Sequence, residues 1–182
     1  RILAESKAEM NTTNIGVGSV VYAVLRMAKA EGIKTVLGGL GAEEIFAGYK
    51  RHVKYGSDYS VDCIQKALFE GLKGMESRDL ARDAPIAEHF SVDLIAPFLN
   101  RELVEYSMRI HPSLKINKEQ KKIILREAAL KLDLPEEFAM RKKVACQYGS
   151  RFDKFIGKMA KQSNIKTKKE LIDFISNKAL NN

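Results

Sequence analysis

Two adjacent carboxylates follow a run of glycines: Gly38-Gly39-Leu40-Gly41-Ala42-Glu43-Glu44. Glycines let the backbone come close to an anion, and the free N–H groups at a helix start face it. A glycine loop opening into a helix is therefore a place to bind phosphate. The spacing is not the dinucleotide fingerprint, because Glu44 stands where the third glycine would be. No Gly-Lys-Ser/Thr follows, which excludes a Walker loop. Glu43 and Glu44 suit the positive end of a helix dipole. A carboxylate beside phosphates is also what Mg²⁺ takes, with one or two such groups, phosphate oxygens and water completing its shell. Neighbouring residues on a helix diverge by about 100°, so one of the pair, not both, is expected to face a metal. Cys63 and Cys146 match no zinc spacing. With His52, His89 and His111 also scattered, no transition-metal site is expected and the cysteines read as free thiols.

The elements around this loop read as α/β. Asn11 to Gly18 looks like a turn, after which Ser19 is placed to cap a helix to about Ala30 with a stripe of Val17, Val20, Val21, Val24 and Ala28. Lys34–Leu37 reads as a short buried strand. Ala42–Ala47 opens a helix ending near Gly48-Tyr49. Beyond Tyr59 the periodicity is almost wholly helical, over Ser60–Glu76, Glu102–Ile110, Glu119–Leu132, Phe152–Lys161 and about Lys166–Leu180. Pro97, Pro112 and Pro135 punctuate it.

Charge is uneven. Lys and Arg total 31 against 23 Asp and Glu, a net charge of +8 over 182 residues. Residues 115–182 hold 17 basic and 8 acidic side chains, whereas residues 1–114 are near balance. A basic half points to a polyanion: a nucleotide phosphate tail, nucleic acid or a membrane surface. No run of 18 apolar residues exists, so no transmembrane helix is expected. No charged-then-apolar leader is visible, and a cytoplasmic setting is expected.

Val36-Leu-Gly-Gly-Leu-Gly-Ala-Glu-Glu-Ile-Phe-Ala-Gly-Tyr49 resembles the Val-Leu-Ser-Gly-Glu-Gly-Ala-Asp-Glu-Leu-Phe-Gly-Gly-Tyr segment of asparagine synthetases, from their ATP-pyrophosphatase (synthetase) domain. Arg78-Asp79 and Arg82-Asp83 resemble the Arg-Asp region of that family, and Ala96-Pro-Phe-Leu-Asn100 its Val-Pro-Phe-Leu-Asp. Lys115-Ile116 with Lys122-Ile-Ile-Leu-Arg-Glu127 resembles Lys-Ile and then Lys-x-Ile-Leu-Arg-Glu. Leu134-Pro-Glu-Glu137 with Arg141-Lys142-Lys143 resembles Leu-Pro-Glu-Glu-Ile and then Arg-x-Lys. These five segments run in the family's order from about Asn14 to Ser150.

The resemblance implies an α/β fold with a parallel sheet of the ATP-pyrophosphatase type and a large helical C-terminal part. It implies a synthetase-like domain over residues 1–165, with residues 166–182 as a helical extension. It also implies binding of ATP and Mg²⁺, adenylation of a small-molecule carboxylate such as aspartate, attack by ammonia, and release of AMP and pyrophosphate. By position, Gly38, Gly39, Leu40 and Gly41 line the nucleotide, and Glu43 takes the place of a metal-binding Asp. Lys122 takes the place of the catalytic lysine beside the α-phosphate and acyl oxygen, acting as a fixed cation. Arg141, Lys142 and Lys143 are candidates for holding pyrophosphate or forming a solvated basic turn. Asp79, Arg82 and Asp83 are read as a buried salt-bridge network supporting the pocket. Tyr49 and His89 are assigned to packing.

The chain also departs from the pattern. Leu40 replaces a glutamate that acts on the amine or the intermediate, and a leucine side chain neither takes a proton nor accepts a hydrogen bond. That leaves nucleotide binding in place and the acceptor open. Gly38 replaces serine and Asn100 replaces Asp. The Ser-Gly-Gly-x-Asp-Ser pyrophosphate loop is expected upstream of Arg1. No glutaminase segment is seen, so ammonia is expected from solution or from a separate amidotransferase subunit. Two other readings stand beside the ligase: a non-catalytic nucleotide-binding member of the family, and an ATP-pyrophosphatase that modifies RNA. The last is the weaker, because aromatic residues do not interleave with the basic ones as a stacking surface requires.

Overall fold

Asn11 starts the first helix of the computed structural model, which describes residues 1–53 and 61–181. Its side chain accepts from the Asn14 backbone N at 2.9 Å and caps helix α1, Thr12–Ala30. The cap expected at Ser19 is therefore eight residues late. The Ser19 hydroxyl instead donates to the Ile15 carbonyl one turn back, at 2.7 Å. Gly16 and Gly18, which read as turn residues, lie inside α1 at points of close approach. A Cβ on Gly18 would come within 2.8 Å of Leu3 Cδ1, and one on Gly16 within 3.2 Å of Gln147 Cβ. Each glycine costs the helix about 1 kcal/mol in propensity, and close packing takes the space that a side chain would fill.

Contacts divide the chain into two units: Arg1–Val36 with Glu76–Ile95 and Val144–Asn182, and Leu37–Met75 with Ala96–Lys143. The protein is a mostly helical α/β chain with one small parallel pair of strands, β1 (Thr35–Leu37) beside β2 (Asp93–Ile95). The Asp93 N–H donates to the Lys34 carbonyl at 2.8 Å. The expectation of a buried strand fails, since Thr35 is exposed, Val36 half-buried and Leu37 69% exposed. β-Branched composition signals extended backbone, but burial depends on what covers the sheet. β2 also interrupts a stretch that reads as helical in the sequence.

In the first unit, Leu25 and Ala28 of α1 pack on Val92 and on Ile86 of helix α4 (Ala81–Phe90), with Val36 against their edge. A wide π turn, Glu76–Leu80, leads into α4, which carries Pro85 within it. Helices α9 (Phe152–Gln162) and α10 (Lys168–Leu180) pack through Ile156, Ala160 and Leu171. Thr167 caps α10 by accepting from the Glu170 N–H at 3.1 Å. The short helix α8, Cys146–Gly149, also lies in this unit.

The second unit holds α2 (Ala42–Ile45), α3 (Val61–Lys73), α5 (Arg101–Arg109), α6 (Ile123–Lys131) and α7 (Glu136–Ala139). The buried face of α3 carries Ile64 and Leu68, four residues apart, which pack with Ala47 and Ile116. Ser60, the expected start of α3, lies outside the described residues. The helix expected from Glu119 begins only at Ile123. The Asn117 side chain accepts from the backbone N–H groups of Glu119 and Gln120 at 2.9 and 2.6 Å, a local turn that competes with helix. Ile116 then bridges Lys121, and Lys122 takes the left-handed conformation at φ 57° before α6. Lys115 is fully buried in this unit, and its Nζ has no hydrogen-bond partner among the described residues. Burial pushes its pKa down to about 8. Among the described residues no helix is long and apolar enough to cross a membrane.

Candidate functional site

The glycine loop turns into α2 at Gly41, whose φ of 97° is left-handed and suits glycine. A Cβ there would stand 2.6 Å from Leu99 Cδ2. Gly38 and Leu40 are half-buried, and Gly39 is exposed with open space where a Cβ would be.

The two glutamates of α2 diverge as their adjacency requires. Glu44 turns inward, is 1% exposed, and accepts from the Tyr49 hydroxyl at 2.7 Å. Glu43 turns to two ammonium groups. Lys122 Nζ and Lys143 Nζ each lie 2.7 Å from the same oxygen, Glu43 Oε1. Lys122 is delivered from the left-handed residue that precedes α6. Gly48 makes room for it, since a Cβ on Gly48 would meet Lys122 Cε at 2.5 Å and Glu43 Cγ at 2.9 Å. Lys143 also stands 5.6 Å from the Tyr49 ring centroid, and the Arg51 guanidinium lies 3.9 Å from the same centroid. Tyr49 thus does more than pack: its hydroxyl holds Glu44 and its ring meets two cations.

Electrostatics follow from this geometry. Burial alone would raise the Glu43 carboxyl, but hydrogen bonds from Lys122 and Lys143 outweigh it and hold the group below the usual carboxylate range. Lys121 is pushed down, first by burial and then by its neighbours Lys143, Lys50, Arg126 and Lys122. Part of the positive charge that follows residue 114 in the sequence therefore gathers at this site. Lys121, Lys122, Arg126, Arg141, Lys142 and Lys143 line a cleft of about 660 Å³. Phe98, Leu125, Phe138 and Met140 line the same cleft. One carboxylate among several ammonium groups is a place for an anion.

Of the residues singled out in the sequence, Glu43, Lys122, Arg141, Lys142 and Lys143 meet at this cleft or its edge. Asp79, Arg82 and Asp83 belong to the first unit. There Arg82 is buried and holds Asp83 through two bonds of 2.6 and 2.8 Å, and Asp79 at 3.2 Å. Burial would lower the Arg82 pKa, and the bond to Asp83 with the charges of both carboxylates raises it instead. His89 stacks on Tyr22 with ring centroids 6.2 Å apart, in the first unit. Sequence reasoning missed Gly48, which resembled a helix terminator, because the clash it avoids comes from residues far along the chain.

Among the described residues, no three of His, Cys, Asp and Glu gather as a metal cluster. Glu43 is a single carboxylate already held by two ammonium groups, so it does not make a site for a bare divalent cation. It fits Mg²⁺ that arrives on phosphates, because the phosphates would match the ammonium charge and supply the remaining oxygen ligands.

Fold and site define a mostly helical α/β protein with a cationic cleft beside a glycine loop. The family described as asparagine synthase matches residues 11–60 and 57–170, and the chain belongs to that family. Its relatives include the "Putative asparagine synthetase (glutamine-hydrolyzing) 1" of Methanocaldococcus jannaschii, 29% identical over 97% of this chain and 39% of that protein. Asparagine synthetase B of Escherichia coli is 31% identical over 73% of this chain and 24% of its own length. Human asparagine synthetase domain-containing protein 1 is 32% identical over 66% of this chain and 19% of its own. The chain thus spans about two fifths or less of the curated relatives it matches.

Proposed function

We propose that the Glu43–Lys122–Lys143 cluster binds the phosphates of ATP, in an ATP-dependent ligase that adenylates a carboxylate and transfers ammonia to it, releasing AMP and pyrophosphate. The observation that carries this reading is the convergence of two ammonium groups on one carboxylate oxygen, 2.7 Å each, in a family of amide-forming synthetases. Glu43 would hold Mg²⁺, which would supply charge neutralisation on the phosphates. Lys122 and Lys143 share one place in the geometry, so the role of fixed cation belongs to the pair rather than to Lys122 alone. Their charges are preorganised by Glu43 and can pass to a phosphate without reorganising solvent. The open backbone at Gly39 lets a ligand approach the loop. A sheet of the ATP-pyrophosphatase type would complete the nucleotide site.

Leu40 favours a second reading, a nucleotide-binding member that has lost the reaction, because no side-chain base stands in the loop. ATP–pyrophosphate exchange with Mg²⁺, across carboxylic acids that include aspartate, separates the two. Exchange with one acid establishes adenylation and names the acceptor. ATP binding with no exchange for any acid leaves the second reading.

A further inference from the structure

Arg126 sits on α6 in the Leu-Arg-Glu stretch and lines the cleft described above. Its guanidinium is not ion-paired to a carboxylate among the described residues. It is spent on backbone carbonyls instead. Nε donates to the Lys121 carbonyl at 3.0 Å, and Nη1 donates to the Ala139 carbonyl at 2.6 Å. Nη1 and Nη2 both reach the Arg141 carbonyl at 3.3 Å. One rigid planar group thus joins two separate pieces of backbone. The first ends in Lys122 and the second runs on to Lys143, the two lysines that meet at Glu43.

The local structure explains why such a tie is needed. Lys122 is left-handed at φ 57°, a conformation that a residue with a side chain takes at a cost. Residues 141–144 carry no regular secondary structure and are exposed. Lys121 has a single bridge, to Ile116, and residues 141–143 run on from the end of α7 without a helix or ladder of their own. Arg126 presents fixed donors to both, which a lysine with its single flexible ammonium group cannot do.

We infer that Arg126 is a positioning residue that clamps the Lys121–Lys122 turn and the Ala139–Lys143 segment together, and so sets the spacing of the two ammonium groups. The inference rests on the reading of that pair as an anion site, but its mechanical part can be tested without any ligand.

The test uses the full chain, Arg126→Met and Arg126→Lys, with Arg101→Met as a control for loss of an exposed ion pair in the same unit. The first readout is the rate of tryptic cleavage after Arg141, Lys142 and Lys143. Arg126→Met should raise it about tenfold with cleavage after Lys161 and Lys166 unchanged, and Arg126→Lys should fall between; about tenfold is the size expected from losing roughly 1.4 kcal/mol of local hydrogen bonding. No change at 141–143, or an equal rise at every site, overturns the inference. The second readout is binding of inorganic pyrophosphate by calorimetry, which should weaken about tenfold in Arg126→Met, weaken less in Arg126→Lys, and stay unchanged in Arg101→Met. Equal pyrophosphate affinity in all four proteins also overturns it. If the unaltered chain binds no pyrophosphate, the anion-site reading fails, and the cleavage pattern alone decides whether Arg126 is the clamp.

Discussion

Replacing Glu43 by Gln removes one negative charge from between two ammonium groups and keeps the shape of the side chain. Both Nζ atoms lie 2.7 Å from Glu43 Oε1, so they stand no further apart than twice that distance. A phosphate drawn to the pair would sit roughly 5 Å from the carboxylate. At that distance, two unit charges interact by about 0.8 kcal/mol in water-like surroundings and about 3 kcal/mol at an effective dielectric of 20. Glu43 is 13% exposed and Lys143 is 43% exposed, so a middle value near 1.4 kcal/mol is apt, or about tenfold in affinity. Without Mg²⁺, Glu43→Gln should therefore bind pyrophosphate about tenfold more tightly than the unaltered chain. With Mg²⁺ the sign should reverse, because the carboxylate that would hold the ion is gone. The assay is calorimetric titration of pyrophosphate, with EDTA and then with Mg²⁺, at two salt concentrations. The metal-free gain should shrink at high salt, where the Debye length falls to about 3 Å at 1 M. Weaker metal-free binding by Glu43→Gln would refute the charge argument, because it would mean that the carboxylate orders the lysines more than it opposes the anion.

Two further outcomes follow from buried charge. Lys115→Met should raise the melting temperature, since it replaces a buried, unpartnered amine by an apolar side chain of similar length, a gain on the order of 1–3 kcal/mol at neutral pH. The folded-state pKa of Lys115 is depressed to about 8 from 10.5. The unfolded chain therefore binds the extra proton between those values, and stability should rise as pH climbs from about 8 to 10.5, a rise that denaturation curves of Lys115→Met would lack. Arg82→Met should cost about 3–5 kcal/mol, because it leaves the carboxylates of Asp79 and Asp83 buried without Arg82. Urea denaturation should show that loss as a lower midpoint with an unchanged slope.

How much of this was legible in the residues varies from one element to the next. A 3.6-residue periodicity located α3, α5, α9 and α10 to within a few residues, because helical signals are local. They failed at α1, where Gly16 and Gly18 imitate a turn but are glycines for the sake of Leu3 and Gln147. They failed again before α6, where the Asn117 side chain captures backbone donors that a helix would have used.

The sequence by itself determined the family motif, the excess of positive charge after Lys115, and the divergence of Glu43 from Glu44. All three are properties of composition or of neighbours along the chain. Only the tertiary structure decided that Lys122 and Lys143 converge on one oxygen of a carboxylate 79 residues away from the first of them. It alone decided that Gly48 is small for their sake, and that Arg126 reaches three carbonyls on two segments. The physical reason is one of range. Backbone preference and periodicity act over a turn or two of chain, whereas the Coulomb and hydrogen-bond contacts of this site act between residues that meet only once the chain has folded.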